Sequence, residues 1–369
     1  MKNNKPREVY YDIQINNFES SGTTSQPLRF SETRNMPLIK NSGEYSLSIV
    51  RFELDTYSLP SFIADIMPYP NTDANKMIET VTLDWNKTGD VTTEQSLEWI
   101  PTNQHIATPR APAPLQDAST EYYYGNSFRH YCDIVNNALE TATNELKTTV
   151  GFLLNDLLPP KLIWNDQAQM AELIAQKEFY NWDAIYYVGI HFNRALYGKL
   201  TSFPALKNYN ATDGRIYKLY MYTDYSTKLI DLDINGDSVM VPFIKTSQEY
   251  STIANWSAVS SIVFTTNTLP IVSTQMSEPL VYNDGKSIST SIPQNFAQVI
   301  SDMATNDLCY KPNLIYVPSA EYRMIDMFGN NDITTVDINV FWKDKKGNMV
   351  PFYLQSGASA SIKVLFRLK

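Results

Sequence analysis

The sequence predicts a mainly β protein, an antiparallel jelly-roll β-sandwich that carries a helical insertion. Near the C-terminus, two runs at 336–342 and 362–369 alternate apolar and polar side chains, as a sheet with one buried face requires. Tyr, Phe and Trp number 24, 16 and 6, and these side chains suit pleated, half-buried surfaces. Short strand patterns also recur along the chain, whereas a parallel α/β sheet would need a helix after almost every strand.

The first third of the chain reads as strands and one long loop. Residues 9–15 alternate as a first strand, and a second run at 45–54 changes phase in its middle, which predicts a bulge or a fully buried stretch. A further strand pattern at 81–85 ends in a turn sequence at 86–89. Four prolines between 101 and 115 remove hydrogen-bond donors, so we expect an extended surface loop there.

The period then changes to that of a helix. Apolar residues recur at three-to-four-residue spacing over 127–149, with Ser127 or Asn126 placed to cap the first turn. A second helix is expected over 166–177. Its apolar stripe would be Met170, Leu173 and Ile174. These two segments define a mostly helical insertion at 126–180.

Strand patterns resume after the insertion. The clearest hairpin joins 229–234 to 237–243 through Asn235-Gly236, because Asn-Gly is the preferred two-residue type I′ turn. Further strands are expected at 185–192, 216–221, 260–265, 314–317, 336–342, 349–354 and 362–369, with a charged turn at 344–348. The predicted organisation is a flexible basic arm at 1–8, a jelly roll at 9–125 and 181–369, and the insertion between them.

Composition excludes several function classes. The net charge of −9 and the lack of a basic stripe argue against direct nucleic-acid binding, beyond a weak contact by the arm at 1–8. Cys132 and Cys309 form no framework, so we expect free thiols in a reducing compartment. No apolar run approaches the roughly 20 residues of a membrane span, and the N-terminus has no signal-peptide core.

Motifs typical of catalytic, cofactor-binding or metal-binding sites are weak in this sequence. Asp231, Asp233, Asn235 and Gly236 imitate half of a calcium loop, but Pro242 stands where its bidentate Glu should be, so a hairpin is the better interpretation. The three histidines, His105, His130 and His191, have no metal-ligand spacing. The usual nucleophile and phosphate-binding signatures are missing, so we expect no catalytic, cofactor or metal site, although spacing cannot exclude a pair of carboxylates.

Several patches, in order, resemble the penton or minor capsid proteins of virophages and polinton-like viruses. They cover the chain from about residue 9 to its end and include Tyr45–Phe52, Arg129–Leu139, His191–Tyr197, Ser260–Thr265, Val340–Asp344, Pro351–Leu354 and Ser361–Phe366. No single patch is specific, and their order and spacing carry the resemblance.

The resemblance implies a structural virion protein with no catalytic residues. It would be the penton, a homopentamer at the fivefold vertices of an icosahedral capsid, in contact with the major capsid protein and other minor capsid proteins. It would be made in the host cytoplasm or virus factory. One alternative is that the chain is another minor capsid protein or a spike base. An alternative of a different class is a carbohydrate-binding module or glycosidase that uses Trp85, Trp99 or Trp182, although burial of such rings is more common.

Overall fold

A computed structural model describes most of the chain, and its contacts divide it into two compact units. The described residues are 6–18, 25–86, 91–112, 116–118, 120–208, 213–221, 229–234, 237–272, 298–305, 313–317 and 323–369. The first unit consists of Met1–Ser61, Asp117–Ser119 and Ser257–Lys369, and the second of Phe62–Gln116 and Thr120–Trp256. The second unit is therefore inserted, along the sequence, in the middle of the first.

Elements follow in chain order. Before residue 62 lie β1 (Glu8–Asn16), β2 (Gln26–Pro27), β3 (Arg29–Thr33) and β4 (Tyr45–Asp55). The middle of the chain forms β5 (Phe62–Ile63), β6 (Lys76–Trp85), β7 (Val91–Glu98), β8 (Tyr124–Gly125), α1 (Phe128–Val150), β9 (Lys161–Asn165), β10 (Met170–Gln176), α2 (Lys177–Tyr180), β11 (Val188–Phe192), α3 (Arg194–Lys199), β12 (Ala205–Lys207), β13 (Tyr217–Leu219), β14 (Leu229–Ile234), β15 (Asp237–Ser247) and α4 (Ile253–Trp256).

The last segment forms the remaining strands. They are β16 (Val259–Thr266), β17 (Gln298–Ala304), β18 (Asn313–Tyr316), β19 (Ile325–Asp326), β20 (Thr335–Asp344), β21 (Met349–Pro351), β22 (Tyr353–Leu354) and β23 (Ser359–Leu368). Short 3₁₀ turns lie at Ser42–Glu44, Glu121–Tyr123 and Phe152–Leu154. The expectation of a mainly β, antiparallel protein is confirmed, since every strand pairing in the described residues is antiparallel.

Two antiparallel sheets build the first unit. One has the order β1, β23, β4, β18, and in the other β3 and β21 pair with β20, β20 with β16, and β16 with β17. Their buried faces meet where the rings of Phe52 and Phe264 lie 5.0 Å apart. The phase change predicted in β4 is a bulge, because the register with β23 skips Val50. Neighbouring strands come from opposite ends of the sequence, so neither end folds alone.

The second unit combines two sheets with one long helix. Its five-stranded sheet has the order β12, β13, β11, β6, β7, and a four-stranded sheet has the order β14, β15, β10, β9. Helix α1 begins at the predicted cap, where the Ser127 hydroxyl accepts a hydrogen bond from the His130 backbone N–H. It packs on β7, where Thr93 bonds to the Ala142 carbonyl at 3.0 Å. The Asn136 amide also bonds both backbone groups of Leu162 and thereby covers part of the β9 edge.

The second predicted helix, at 166–177, is wrong. Residues 161–165 and 170–176 form the hairpin β9–β10, and only the single turn α2 that follows is helical. The reason is burial on both faces: Ala171 and Leu173–Gln176 are all buried. A strand covered on both faces reads as a continuous apolar run, which periodicity cannot separate from a helix.

The unit boundaries differ from those expected for a jelly roll at 9–125 and 181–369 with an insertion at 126–180. The second unit begins at Phe62 rather than near 126, because β6, β7 and β11 form the sheet on which α1 packs. Within the basic arm at 1–8, Met1–Lys5 lie outside the described residues, and Glu8 already pairs in β1. In the described ranges, no helix combines the length and apolar character needed to cross a bilayer.

Candidate functional site

One cluster of buried ionisable groups joins β6, β11 and β13 in the second unit. Asp84 Oδ2 lies 3.0 Å from His191 Nε2 and 3.3 Å from Lys218 Nζ. Burial opposes ionisation of Asp84, but the contacts with His191 and Lys218 outweigh it and lower the pKa of the carboxyl. Gly189 is required beside this cluster, since a Cβ there would lie 2.0 Å from Asp84 Oδ1. The cluster ties three strands together around a compensated charge.

A second buried cluster lies where α3 meets β6. Lys199 contacts Glu79 directly and lies 3.6 Å from Asp65, and its ammonium stands 5.1 Å from the centre of the Tyr131 ring. Burial raises the pKa of Glu79, and although burial opposes the Lys199 charge, the two carboxylates raise the pKa of Lys199. Burial also raises the pKa of Tyr131. The arrangement stabilises a charge pair inside the unit.

Asp337 is a buried carboxylate of the first unit that accepts several hydrogen bonds. It accepts hydrogen bonds from the Thr266 hydroxyl at 2.6 Å and from the backbone N–H groups of Asn267 and Thr268 at 2.8 and 2.9 Å. Burial disfavours its charge, but these donors outweigh that cost and lower the pKa of Asp337. The carboxylate fixes the chain where it leaves β16.

The other candidate metal and thiol residues are dispersed. His105 is exposed in the proline-rich loop, His130 Nε2 lies 2.7 Å from the Ile100 carbonyl, and His191 belongs to the Asp84 cluster. Burial raises the pKa of the Cys132 thiol to about 12, and Cys309 lies outside the described residues. No group of three or more His, Cys, Asp or Glu residues able to hold a metal occurs in the described ranges.

The hairpin interpretation of the calcium-like motif agrees with the backbone. Strands β14 and β15 pair from Leu229 opposite Pro242 to Ile234 opposite Asp237, which leaves two residues between them. Asn235 and Gly236 themselves, and the side chains of Asp231 and Asp233, lie outside what the structure describes. The pairing is that of a two-residue hairpin.

The three tryptophans weighed as a sugar platform occupy different environments. Trp99 is 1% exposed, and its indole N–H donates a hydrogen bond to the Tyr122 carbonyl. Trp182 is 38% exposed and packs against Tyr187 and Tyr220, and the partly buried Trp85 stacks on Tyr186. Trp99 is therefore a core residue, and the other two are partly packed against tyrosines.

The first unit has several exposed apolar side chains. Large exposed apolar side chains on it are Tyr10, Phe18, Met36, Tyr57, Val272, Ile315, Val317 and Phe328. Aromatic and aliphatic side chains of this kind anchor protein interfaces. Strand β1 also lies at the edge of its sheet, paired with β23 alone. These features give the first unit apolar and edge-strand surface on which neighbouring chains could pack.

The comparisons identify the family. The sequence matches the model described as Sputnik minor capsid protein V18/19 over residues 9–368. The chain belongs to this family and is a structural virion protein. Two relatives come from Sputnik virophage. An uncharacterized protein V18 is 34% identical over 154 residues, which cover 40% of this chain and 89% of that protein. A structural protein V19 is 26% identical over 212 residues, which cover 55% of this chain and 91% of that protein.

Solved structures agree over the whole length. A chain of the Sputnik virophage, determined at 3.5 Å by cryo-EM, is 28% identical and has a TM-score of 0.80. The match covers 99% of this chain and 99% of that chain. The mavirus penton protein is 13% identical, with a TM-score of 0.64 over 98% of this chain and 99% of that one. The second likeness shows the fold alone. The predicted relationship to virophage capsid proteins is confirmed.

Sequence reasoning missed both buried ion clusters. Glu79 and Lys199 are 120 residues apart, and Asp84 and Lys218 are 134 apart. Charged residues within strand patterns, such as Glu79 and Asp84 in the run at 76–85, were the available signal, because an ionised side chain on a buried face needs a partner. The sequence could not name that partner, since it depends on which strands and helices meet.

Proposed function

We propose that this chain is a penton protein that forms the fivefold vertices of an icosahedral virophage-type capsid. Membership in a minor capsid family implies a structural, non-enzymatic role in the virion. A place in the shell is supported by the full-length likeness to a chain of the Sputnik virophage, at a TM-score of 0.80. The likeness in fold to the mavirus penton protein supports the vertex role over another minor capsid or spike-base role.

The first unit would be the shell-forming jelly roll. Its eight main strands, in chain order, are β1, β3, β4, β16, β17, β18, β20 and β23. If these are numbered 1 to 8, neighbouring strands in one sheet are 1, 8, 3 and 6, and those in the other sheet are 2, 7, 4 and 5. This is the order expected of a jelly roll folded from two Greek keys. The second unit would be an insertion between β4 and β16. It replaces the narrower insertion expected at 126–180.

The proposed assembly is a homopentamer held by heterologous contacts that close into a ring. The exposed apolar side chains of the first unit supply contact area for neighbouring copies and for the major capsid protein. We further propose that the chain carries no catalytic, cofactor or metal site, and that it is made in the host cytoplasm or virus factory. Both follow from the structural role.

Native mass spectrometry of the purified protein tests the pentamer. The expected species is a ring of five 42.1 kDa chains. A protein that remains monomeric at micromolar concentration, and that is also absent from purified particles by peptide mass spectrometry, would refute the vertex assignment. A pentamer that binds a glycan array specifically would instead favour a spike-base or attachment role.

A further inference from the structure

Among the described strands, β1 pairs on one side only, with β23. The Arg7 carbonyl accepts a hydrogen bond from Leu368 N–H at 2.8 Å, and Asn17 N–H donates one to the Ala358 carbonyl at 3.1 Å. Because backbone groups alternate in an antiparallel pair, the odd-numbered residues of β1 bond to β23. The N–H and C=O groups of the even-numbered residues, 8 to 16, therefore point away from β23.

These outward groups have no partner in the part of the chain that the structure describes. Such a row of free donors and acceptors is a template for another strand. Natural edge strands block this pairing with Pro, Lys or a bulge. β1 contains neither Pro nor Lys, and its register with β23 is unbroken over nine residues. Within the described ranges this edge is therefore unpaired, and it is regular.

The acidic side chains of β1 indicate which kind of strand could pair with its outward edge. Across the existing ladder, Glu8 lies 2.9 Å from Arg367 and Asp12 lies 3.4 Å from Lys363. Two basic residues four positions apart thus face two acidic residues with the same spacing. An incoming strand would meet Glu8 and Asp12 from the other side, where the same pairing is favourable.

A second copy of this chain does not supply a matching strand. Lys363 and Arg367 are the only Lys or Arg residues separated by four positions anywhere in the sequence, and both already lie in β23. A second copy of this chain therefore has no free segment with this spacing of basic residues, which favours a different chain as the occupant.

We propose that β1 accepts an extended strand from a different shell protein, with two basic side chains four positions apart opposite Glu8 and Asp12. This inference rests on the proposed function, because it supposes that the chain sits among other capsid proteins. The added strand would extend the β1–β23–β4–β18 sheet by main-chain hydrogen bonds, and the basic side chains would fix its register.

The matched variants Asp12→Pro and Asp12→Ala test the backbone contact. Asp12→Pro removes an outward N–H and keeps the bonds to β23, a position where edge strands tolerate proline. Asp12→Ala removes the same carboxylate and keeps the N–H. Each variant is expressed as the sole copy in particle-producing cells, and its copies per particle are measured by quantitative mass spectrometry.

We expect about tenfold less Asp12→Pro than Asp12→Ala in particles, since the proline removes a hydrogen bond and also blocks close approach. Equal incorporation would overturn the proposal. Gln14→Pro, which also loses an outward N–H, must show the same loss. Melting temperatures of the purified variants identify any that fails to fold.

Photo-cross-linking identifies the occupant directly and does not depend on the proline variants. A benzoyl-phenylalanine in place of Gln14, activated in assembled particles, should join this chain to another shell protein. A product that contains only copies of this chain, or no product at all, would overturn the proposal. Failure of the vertex role itself would appear separately, as a wild-type protein that forms no pentamer.

Discussion

The two units of this protein differ in how their strands are connected and in which groups stabilise their buried carboxylates. The first brings strands from both ends of the chain into two facing sheets, and its buried carboxylate Asp337 is held by hydroxyl and backbone donors. The second is built from one continuous stretch of sequence apart from 117–119, and its buried carboxylates Glu79 and Asp84 are held by lysines and a histidine.

The difference concerns how each unit responds to change. A carboxylate held by neutral donors loses stability mainly when it is protonated, whereas a buried ion pair fails when either partner is removed. Acid should destabilise both units, because the pKa values of Asp337 and Asp84 are both lowered in the folded state. Loss of a single cation should destabilise only the second unit. Hydrogen exchange, resolved by peptide, can follow the two units separately.

Removal of the ring at the centre of the first unit should have the largest effect. Phe264 is fully buried and contacts Phe52 of the facing sheet. We expect Phe264→Ala to cost about 3–5 kcal/mol in the free energy of unfolding, measured by denaturant titration. The control Tyr57→Ala, at a side chain 72% exposed, should stay within about 0.5 kcal/mol. Similar costs for both variants would mean that the two sheets do not share a core.

Loss of a buried cation should next destabilise the second unit. Lys199→Ala leaves Glu79 buried without its counterion, and we expect a cost of about 3 kcal/mol. Hydrogen exchange should rise in the second unit. The control Lys245→Ala breaks a partly exposed pair with Glu172, and should cost about 1 kcal/mol or less. The double variant Lys199→Met with Glu79→Met should recover most of the loss, and continued instability there would contradict a role for charge.

Asp337 should make the first unit sensitive to acid. Its pKa is lowered in the folded state, so its stabilisation is fully present above the unfolded pKa of about 3.9 and is lost as pH falls through the lower folded value. Asp337→Ala should cost about 2 kcal/mol at neutral pH. It should also flatten the acid limb of the stability profile, measured by urea titration at successive pH values. An unchanged profile would show that other carboxylates govern the acid response.

The smallest expected effect concerns the start of α1. Ser127→Ala removes the hydroxyl that accepts from His130 N–H and should cost about 1 kcal/mol. Five of the six tryptophans belong to the second unit, so intrinsic fluorescence reports its unfolding. Thr141→Ala, on the exposed face of the same helix, serves as control and should change stability by less than about 0.5 kcal/mol. Equal effects would argue against capping.

Local pattern predicted the elements better than it predicted their arrangement. Strands β1 and β20 and helix α1 are predicted correctly because one face of each is buried and the other is mostly polar, so periodicity is visible. The hairpin β9–β10 was mistaken in part for a helix because β10 is buried almost throughout. The mainly β character of the protein is therefore accessible from the sequence.

Long-range pairings were not accessible. The pairing of β1 with β23 joins residues 8 and 367. The second unit begins at β5, and its strands β6 and β11 share a sheet although about 100 residues separate them in sequence. No local spacing encodes such contacts. The candidate interaction edge of β1 could be read only after the register with β23 was known, since that register decides which backbone groups face outward.

A cryo-EM reconstruction of particles that contain this chain tests the central claim most directly. The account predicts that the two sheets of the first unit fit density at every fivefold vertex, with five copies around the axis. It would be contradicted if another chain filled those vertices while this one occupied a different position in the shell, or none.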